Sequence, residues 1–238
     1  MPDNHLAKLI AGFESDRLCE LICFFISVRL FLASSVSPAP SEKEMIKEKY
    51  PDTSCRIIAI GNPRLDLYRR ELIGLYKDRT NKITQEYGNY ILMPSNFSIM
   101  NEAQIDATLT KLKNLGRIQN EEDKKYYLER FEYQKKILSS FVKIAKNLSD
   151  SLMDRKIIVR PHPSENINEW KRILVNHSNI LVVYNESIAP WILASDMVIH
   201  SSCTTGLEAF LLGKPVISYV PDPNHEISKH ISNSLSCC

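Results

Sequence analysis

The sequence predicts an open α/β domain: a doubly wound parallel sheet of about six strands, covered by helices on both faces. Three observations carry that prediction. Short β-rich runs alternate with helical segments between residues 56 and 220. The runs themselves (RIIAI, YILMP, KIIVR, ILVVY, MVIH, PVISYV) are apolar along their length instead of alternating, as strands buried on both faces are. The longest helical segment, 121–149, places Tyr127, Phe131, Leu138, Phe141, Val142, Ala145 and Leu148 mostly three or four residues apart, which gives one apolar face. Parallel strands need crossover helices, and strand–helix alternation supplies them.

The elements follow in order. Ser41 is the expected N-cap of a short charged helix, EKEMIKEKY. RIIAI (56–60) is the first strand, ended by Gly61-Asn62-Pro63. Residues 65–87 have mixed charge and helical spacing. YILMP (90–94) is the second strand, closed by Ser95-Asn96-Phe97. After the 121–149 helix comes KIIVRPHP (156–163), whose exit is stiffened by Pro161 and Pro163. A helix over 164–177 runs through Trp170 and leads to ILVVY (180–184). A short helix at 187–195, the strand MVIH (197–200), a helix at 204–213 and the strand PVISYV (215–220) complete a domain spanning about 55–225.

Composition narrows the function classes. The chain has 238 residues, enough for one large domain or two small ones at roughly 100–200 residues each. Hydrophobic residues at 44% and charged residues at 24% are ordinary globular usage and exclude disorder, collagen or coiled coil as a description of the whole. Thirty Lys and Arg against 28 Asp and Glu leave a net charge of +2, which supplies no field for gripping nucleic acid. Seven Gly leave little material for a glycine-rich phosphate loop. The six cysteines (19, 23, 55, 203, 237 and 238) include no C-x-x-C and no His at ligand spacing, so reduced cytoplasmic thiols and no metal are expected.

Residues 1–40 read as an apolar helical segment and linker. Within LCELICFFISVRLFLASSV (18–36) the charge-free run Leu21–Val28 is 8 residues long, against the roughly 20 that a spanning helix needs. Asp3, Glu14, Asp16 and Glu20 come first, unlike the basic start of a signal peptide. A buried or partner-covered helix is the expectation, with peripheral contact at the inner face of the cytoplasmic membrane as its rival. SSVSPAPSEKE, with Pro38 and Pro40, reads as a connection.

In doubly wound sheets ligands sit outside the carboxyl ends of the strands. Four polar clusters follow strand ends here. In HSSCTTGLE a strand leads into a helix through His200, Ser201, Ser202, Cys203, Thr204, Thr205 and Gly206. A helix start carries unpaired N–H groups and positive potential, and hydroxyls add donors suited to a phosphate. Ordinary capping is the structural alternative, with Thr205 and Glu208 in capping-box spacing. Glu208 is either that capping carboxylate or an acceptor for ribose hydroxyls. In RPHPSE, Arg160 and His162 are two apart, so in an extended chain they face one side and are candidates to hold a diphosphate. Asn62 and Arg64 in GNPRLD are weaker candidates, the turn being mainly structural, with Asp66 able to cap the helix that follows. Ser95 and Asn96 are donors at the next strand end.

Together RIIAIGNPRLDL, YG-x-YILMPSNF, IIVRPHPSE and VIHSSCTTGLEAFLLGKPVISYVP, after SEKEMIKEKYP, resemble surface carbohydrate biosynthesis proteins, a GT-B glycosyltransferase-like group of bacterial polysaccharide synthesis. The resemblance covers about residues 41–225. It implies a Rossmann-like, nucleotide-sugar-binding domain at 41–238, the donor-binding C-terminal half of a GT-B architecture. Arg160, His162, Ser201, Ser202, Thr204 and Thr205 would meet the donor diphosphate, and Glu208 the ribose. The nucleotide-sugar is substrate, no cofactor is implied, and no D-x-D metal motif occurs in the chain. Family members carry a whole domain before SEKE, which often supplies acceptor site and base, and a closing helical segment after SYVPDPNHE. The expectation is therefore a truncated chain that binds donor without turning it over, joined by a separate N-terminal domain or another copy of itself. No catalytic residue is named. A UDP-N-acetylglucosamine 2-epimerase-like enzyme and a non-catalytic nucleotide-binding partner subunit are the alternatives.

Overall fold

The computed structural model describes residues 34–37, 40–49, 51, 56–59, 61–97, 103–225, 228 and 231–234. The apolar helix expected within 18–36 falls almost wholly outside them. The chain divides into two compact units, Met1–Lys77 and Asp78–Cys238.

In the first unit, β1 (Ser34–Ser37) pairs in parallel with β2 (Arg56–Ala59), with Ser34 opposite Arg56 and Ser37 opposite Ala59. Helix α1 (Pro40–Lys49) connects them and packs on both. Two expectations are corrected. SSVS, read as a connection, is a strand, because pairing with β2 outweighs the low β-propensity of serine. The first predicted strand is not part of the main sheet, since β1 is its partner. Helix α1 starts at Pro40, the residue type best suited to a first helical turn, so Ser41 lies inside the helix and is not its cap. Helix α2 (Pro63–Asp66) is capped by Asn62, whose Oδ1 accepts from the Arg64 N–H at 3.1 Å. The helix expected over 65–87 is interrupted: turns that bury Tyr68 and a 3-10 turn (Ile73–Tyr76) that buries Tyr76 come before α3 (Lys77–Tyr87).

The second unit is the doubly wound fold. Strands β3 (Tyr90–Pro94), β4 (Lys156–Arg160), β5 (Ile180–Val182), β6 (Met197–His200) and β7 (Val216–Ser218) form one sheet in the order β5-β4-β3-β6-β7. Every neighbouring pair is parallel. The chain steps outward from β3 to β5, then returns to the other side of β3 for β6 and β7. The switch point lies between β3 and β6. Among the described residues this sheet has five strands, in keeping with the expected doubly wound sheet of about six, β2 pairing with β1 instead. Helices α4 (Ala103–Asn114) and α5 (Glu121–Ser151) join β3 to β4; α4 is not anticipated by the sequence reading. The later crossovers are α6 (Ile167–Ile173), α7 (Ile188–Ala194) and α8 (Thr204–Leu211).

Period-2 alternation sorts the strand residues onto two faces. Ile91, Met93, Ile157 and Val159 join Phe141 and Ala145 of α5 and Trp170 of α6 in one core. Tyr90 belongs to the other face: its hydroxyl donates to the Trp191 carbonyl of α7 at 2.6 Å, and α7 packs against α8. Burial accordingly runs unbroken along β3. At the opposite sheet edge from the candidate loops, the Asn179 amide donates to the carbonyls of Ser149, Leu152 and Arg155, which ties the end of α5 to the approach to β5. Among the described residues no helix is long and apolar enough to cross a membrane.

Candidate functional site

Three of the four polar clusters lie at the carboxyl edge of the five-stranded sheet. Asn62 and Arg64 follow β2 in the first unit, where Asn62 is a helix cap and Asp66 pairs with Arg69 at 2.8 Å instead of capping. In the main sheet Pro94 stands opposite Arg160, and Leu92 opposite Val198, so two residues further Pro94 and His200 are level. Three strand ends, β4, β3 and β6, therefore stop at one height, with the β4 and β6 ends about 10 Å apart across β3.

The loop after β4 splits its two candidates. Arg160 is buried, with 6% exposure. Its guanidinium donates to the carbonyls of Asn185, at 2.6 Å, and Glu186, and sits 5.5 Å from the ring centroids of Tyr184 and Trp191. Glu186 has a positive φ of 58°, so Arg160 fastens a strained turn between β5 and α7. His162 is exposed. Its Nδ1 accepts the Ser164 backbone N–H at 3.2 Å and lies 2.7 Å from Ser164 Oγ. A backbone N–H can only donate, so the ring proton sits on Nε2, which makes Nε2–H a donor for a ligand.

Glu165 is the residue in this loop that sequence reasoning missed. Its backbone N–H closes a turn onto the His162 carbonyl at 2.8 Å, with Pro163 inside the turn. Its carboxylate accepts from Ser95 Oγ, the Phe97 N–H and Trp170 Nε1, each at 2.6 Å. One side chain thus joins the ends of β3 and β4 to α6. Burial pushes the Glu165 pKa up, against the lowering effect of those donors. Ser95 is buried and spends its only hydroxyl proton on Glu165, while Asn96 beside it is exposed. A Glu two residues beyond a His-Pro pair at a strand end is the signal that could have found it.

The loop after β6 is set by packing. Helix α8 begins two residues earlier than capping-box spacing demands. Cys203 is the N-cap residue in extended conformation and makes no side-chain cap. Thr205 and Glu208 both lie inside the helix, so the capping-box reading is corrected. The amide of Thr204, the first helical residue, has no preceding turn to donate to, and that of Thr205 faces the Cys203 sulfur. Thr204 is exposed, Ser201 and Thr205 are nearly buried, and Ser202 is between. Cys203 Sγ donates to Thr205 Oγ1 at 3.3 Å, and burial pushes the thiol pKa up, which keeps it protonated. Glu208 is buried, at 2% exposure. Gly206 has a plain steric role: a Cβ there would overlap the imidazole of His200, which is fully buried, with Nδ1 accepting the Cys203 N–H at 3.5 Å. The close neighbour that Gly206 admits is this side chain.

The arrangement offers an uncapped helix start, several hydroxyls and one imidazole N–H at the switch point of a doubly wound sheet. Such a set stabilises a bound oxyanion. Among the described residues there is no cluster of three or more His, Cys, Asp or Glu able to hold a metal ion. In comparisons with known proteins, no family model and no curated protein matches the chain.

Proposed function

We propose that the second unit binds the diphosphate of a nucleotide-activated sugar, as a glycosyltransferase-like protein of bacterial surface polysaccharide synthesis does. One observation carries the reading. Helix α8 opens at the topological switch point with no side chain capping its first turn. The Thr204 amide and the hydroxyls of Ser202 and Thr204 are the donors on this side. His162 Nε2–H is the donor on the β4 side. In a transfer reaction these groups stabilise the charge that develops on the leaving diphosphate. Arg160 acts at one remove, by fixing the β5–α7 turn. Glu208 is left out of the contact set, because its burial keeps it from a ribose.

Calorimetry on the purified chain with UDP, GDP, CDP, CMP and inorganic phosphate tests the reading. Heat and a thermal shift with at least one nucleoside diphosphate, and much weaker binding of phosphate, are the expected results. No response to any nucleotide overturns it. A turnover assay with a nucleotide-sugar panel then separates transferase from binding protein by whether nucleotide is released repeatedly.

A further inference from the structure

The loop that presents these donors is held from behind by one distant side chain. Ser202 has φ 47°, the left-handed region that a residue with a side chain enters at a cost. Asn233, in the 3-10 turn Ile231–Asn233, meets it twice. Asn233 Oδ1 accepts the Ser202 N–H at 3.2 Å, and Asn233 Nδ2 donates to Ser202 Oγ at 2.9 Å. The same amide accepts from Ser218 Oγ of β7 at 2.7 Å and donates to the Ser228 carbonyl at 2.8 Å. Both acceptor sites and both donor hydrogens are used. The amide cannot be reversed, because the Ser202 N–H must face an oxygen.

This geometry has a consequence for the ligand side. Ser202 Oγ receives a hydrogen bond from Asn233, so its own proton is directed elsewhere. Its backbone N–H is turned to Asn233 as well. The left-handed turn then brings the chain into α8 with the Thr204 amide leading. We propose that Asn233 is a positioning residue of the anion site: it presets the turn at Ser202 so that the Ser202 hydroxyl and the start of α8 address one oxyanion. This inference rests on the diphosphate reading above.

The test is UDP titration by calorimetry, with affinity expressed per folded molecule from urea midpoints. Asn233→Ala is expected to weaken UDP about tenfold through loss of the preset turn. Asn233→Asp keeps the shape but sets a carboxylate behind Ser202, and is expected to bind about tenfold more weakly still, by repulsion of the diphosphate. In a Ser202→Ala background, Asn233→Ala is expected to cost clearly less than tenfold, because part of its loss runs through the Ser202 hydroxyl that the first substitution has already removed. A residue with a purely structural role gives neither the ranking of Asp below Ala nor this coupling. UDP affinity in Asn233→Asp equal to that of the unsubstituted chain overturns the inference, and so do fully additive losses in the Ser202→Ala and Asn233→Ala pair. If Asn233→Asp does not fold, the coupling decides alone. Where GDP or CDP is the nucleotide that binds, it takes the place of UDP in these titrations; absence of binding of UDP, GDP, CDP and CMP alike by the unsubstituted chain overturns the diphosphate reading itself, and the role of Asn233 with it.

Discussion

The loops after β4 and after β6 stand on either side of the same central strand, yet they are held by opposite means. The β4 loop is fixed by a carboxylate inside the loop itself: Glu165 gathers a hydroxyl, a backbone amide and an indole. The β6 loop is fixed by steric fit and by a neutral amide 31 residues away in the chain. A carboxylate anchor responds to pH and leaves its donors orphaned when lost. A packed and amide-bonded loop fails when volume is added. The same edge therefore carries one chemically sensitive wall and one sterically sensitive wall.

Four substitutions break or sharpen this contrast. The largest expected effect is from Glu165→Ala, which strands the Trp170 and Phe97 N–H groups in the core and should cost about 3–4 kcal/mol, at about 1–3 kcal/mol per orphaned donor. Urea unfolding measures it, and a loss under about 1 kcal/mol shows that water replaces the carboxylate. Next is Gly206→Ala, where the new methyl meets the buried His200 ring; overpacking of this kind costs about 1–3 kcal/mol. Equal stability of Gly206→Ala and the unsubstituted chain refutes the steric account of this wall.

The pH response comes third. Burial raises the Glu165 pKa, so the folded state holds that proton more tightly than the unfolded chain does. The resulting stability is complete below the ordinary value of 4.5 and is lost as pH rises through the raised pKa. The stability difference between the unsubstituted chain and Glu165→Gln should therefore shrink with rising pH. Parallel pH profiles for the two proteins contradict this. Smallest is His162→Ala: an exposed ring bonded only within its own turn should change stability by less than about 0.5 kcal/mol, while lowering diphosphate affinity. If unfolding shifts and affinity does not, His162 is a turn residue.

The sequence made the scaffold of this edge legible and hid its anchors. Apolar runs marked β3 to β7 to within a few residues, most cleanly at β3 and β4, where strands buried on both faces leave no polar positions to confuse the pattern. The start of α8 was visible in HSSCTTG because a strand-to-helix turn at a switch point has few ways to be built. Missed features share one cause: their partners are far along the chain. SSVS is a strand only because Arg56–Ala59 lies beside it. Asn233 is one polar residue in a polar tail until Ser202 is placed next to it. Arg160 looked like a ligand beside His162, but the turn at Asn185 and Glu186 claims its guanidinium, a contact that no local spacing announces. Glu165 was in plain view, and what hid its role was that its three donors come from β3 and α6.

The length of α5 sets up a gradient of solvent exchange along one rigid rod. Its 31 residues extend about 46 Å, whereas a five-residue strand covers about 17 Å. Its buried residues begin only at Phe131, so the ten positions before it are held mainly by the Asn120 cap, whose Oδ1 accepts the Asp123 N–H at 2.8 Å. Local opening costs least where few apolar contacts must part. Deuterium should therefore enter the amides of residues 124–129 long before those of 138–149, and the helix should wear from its capped end inward while the sheet behind Phe141 stays closed.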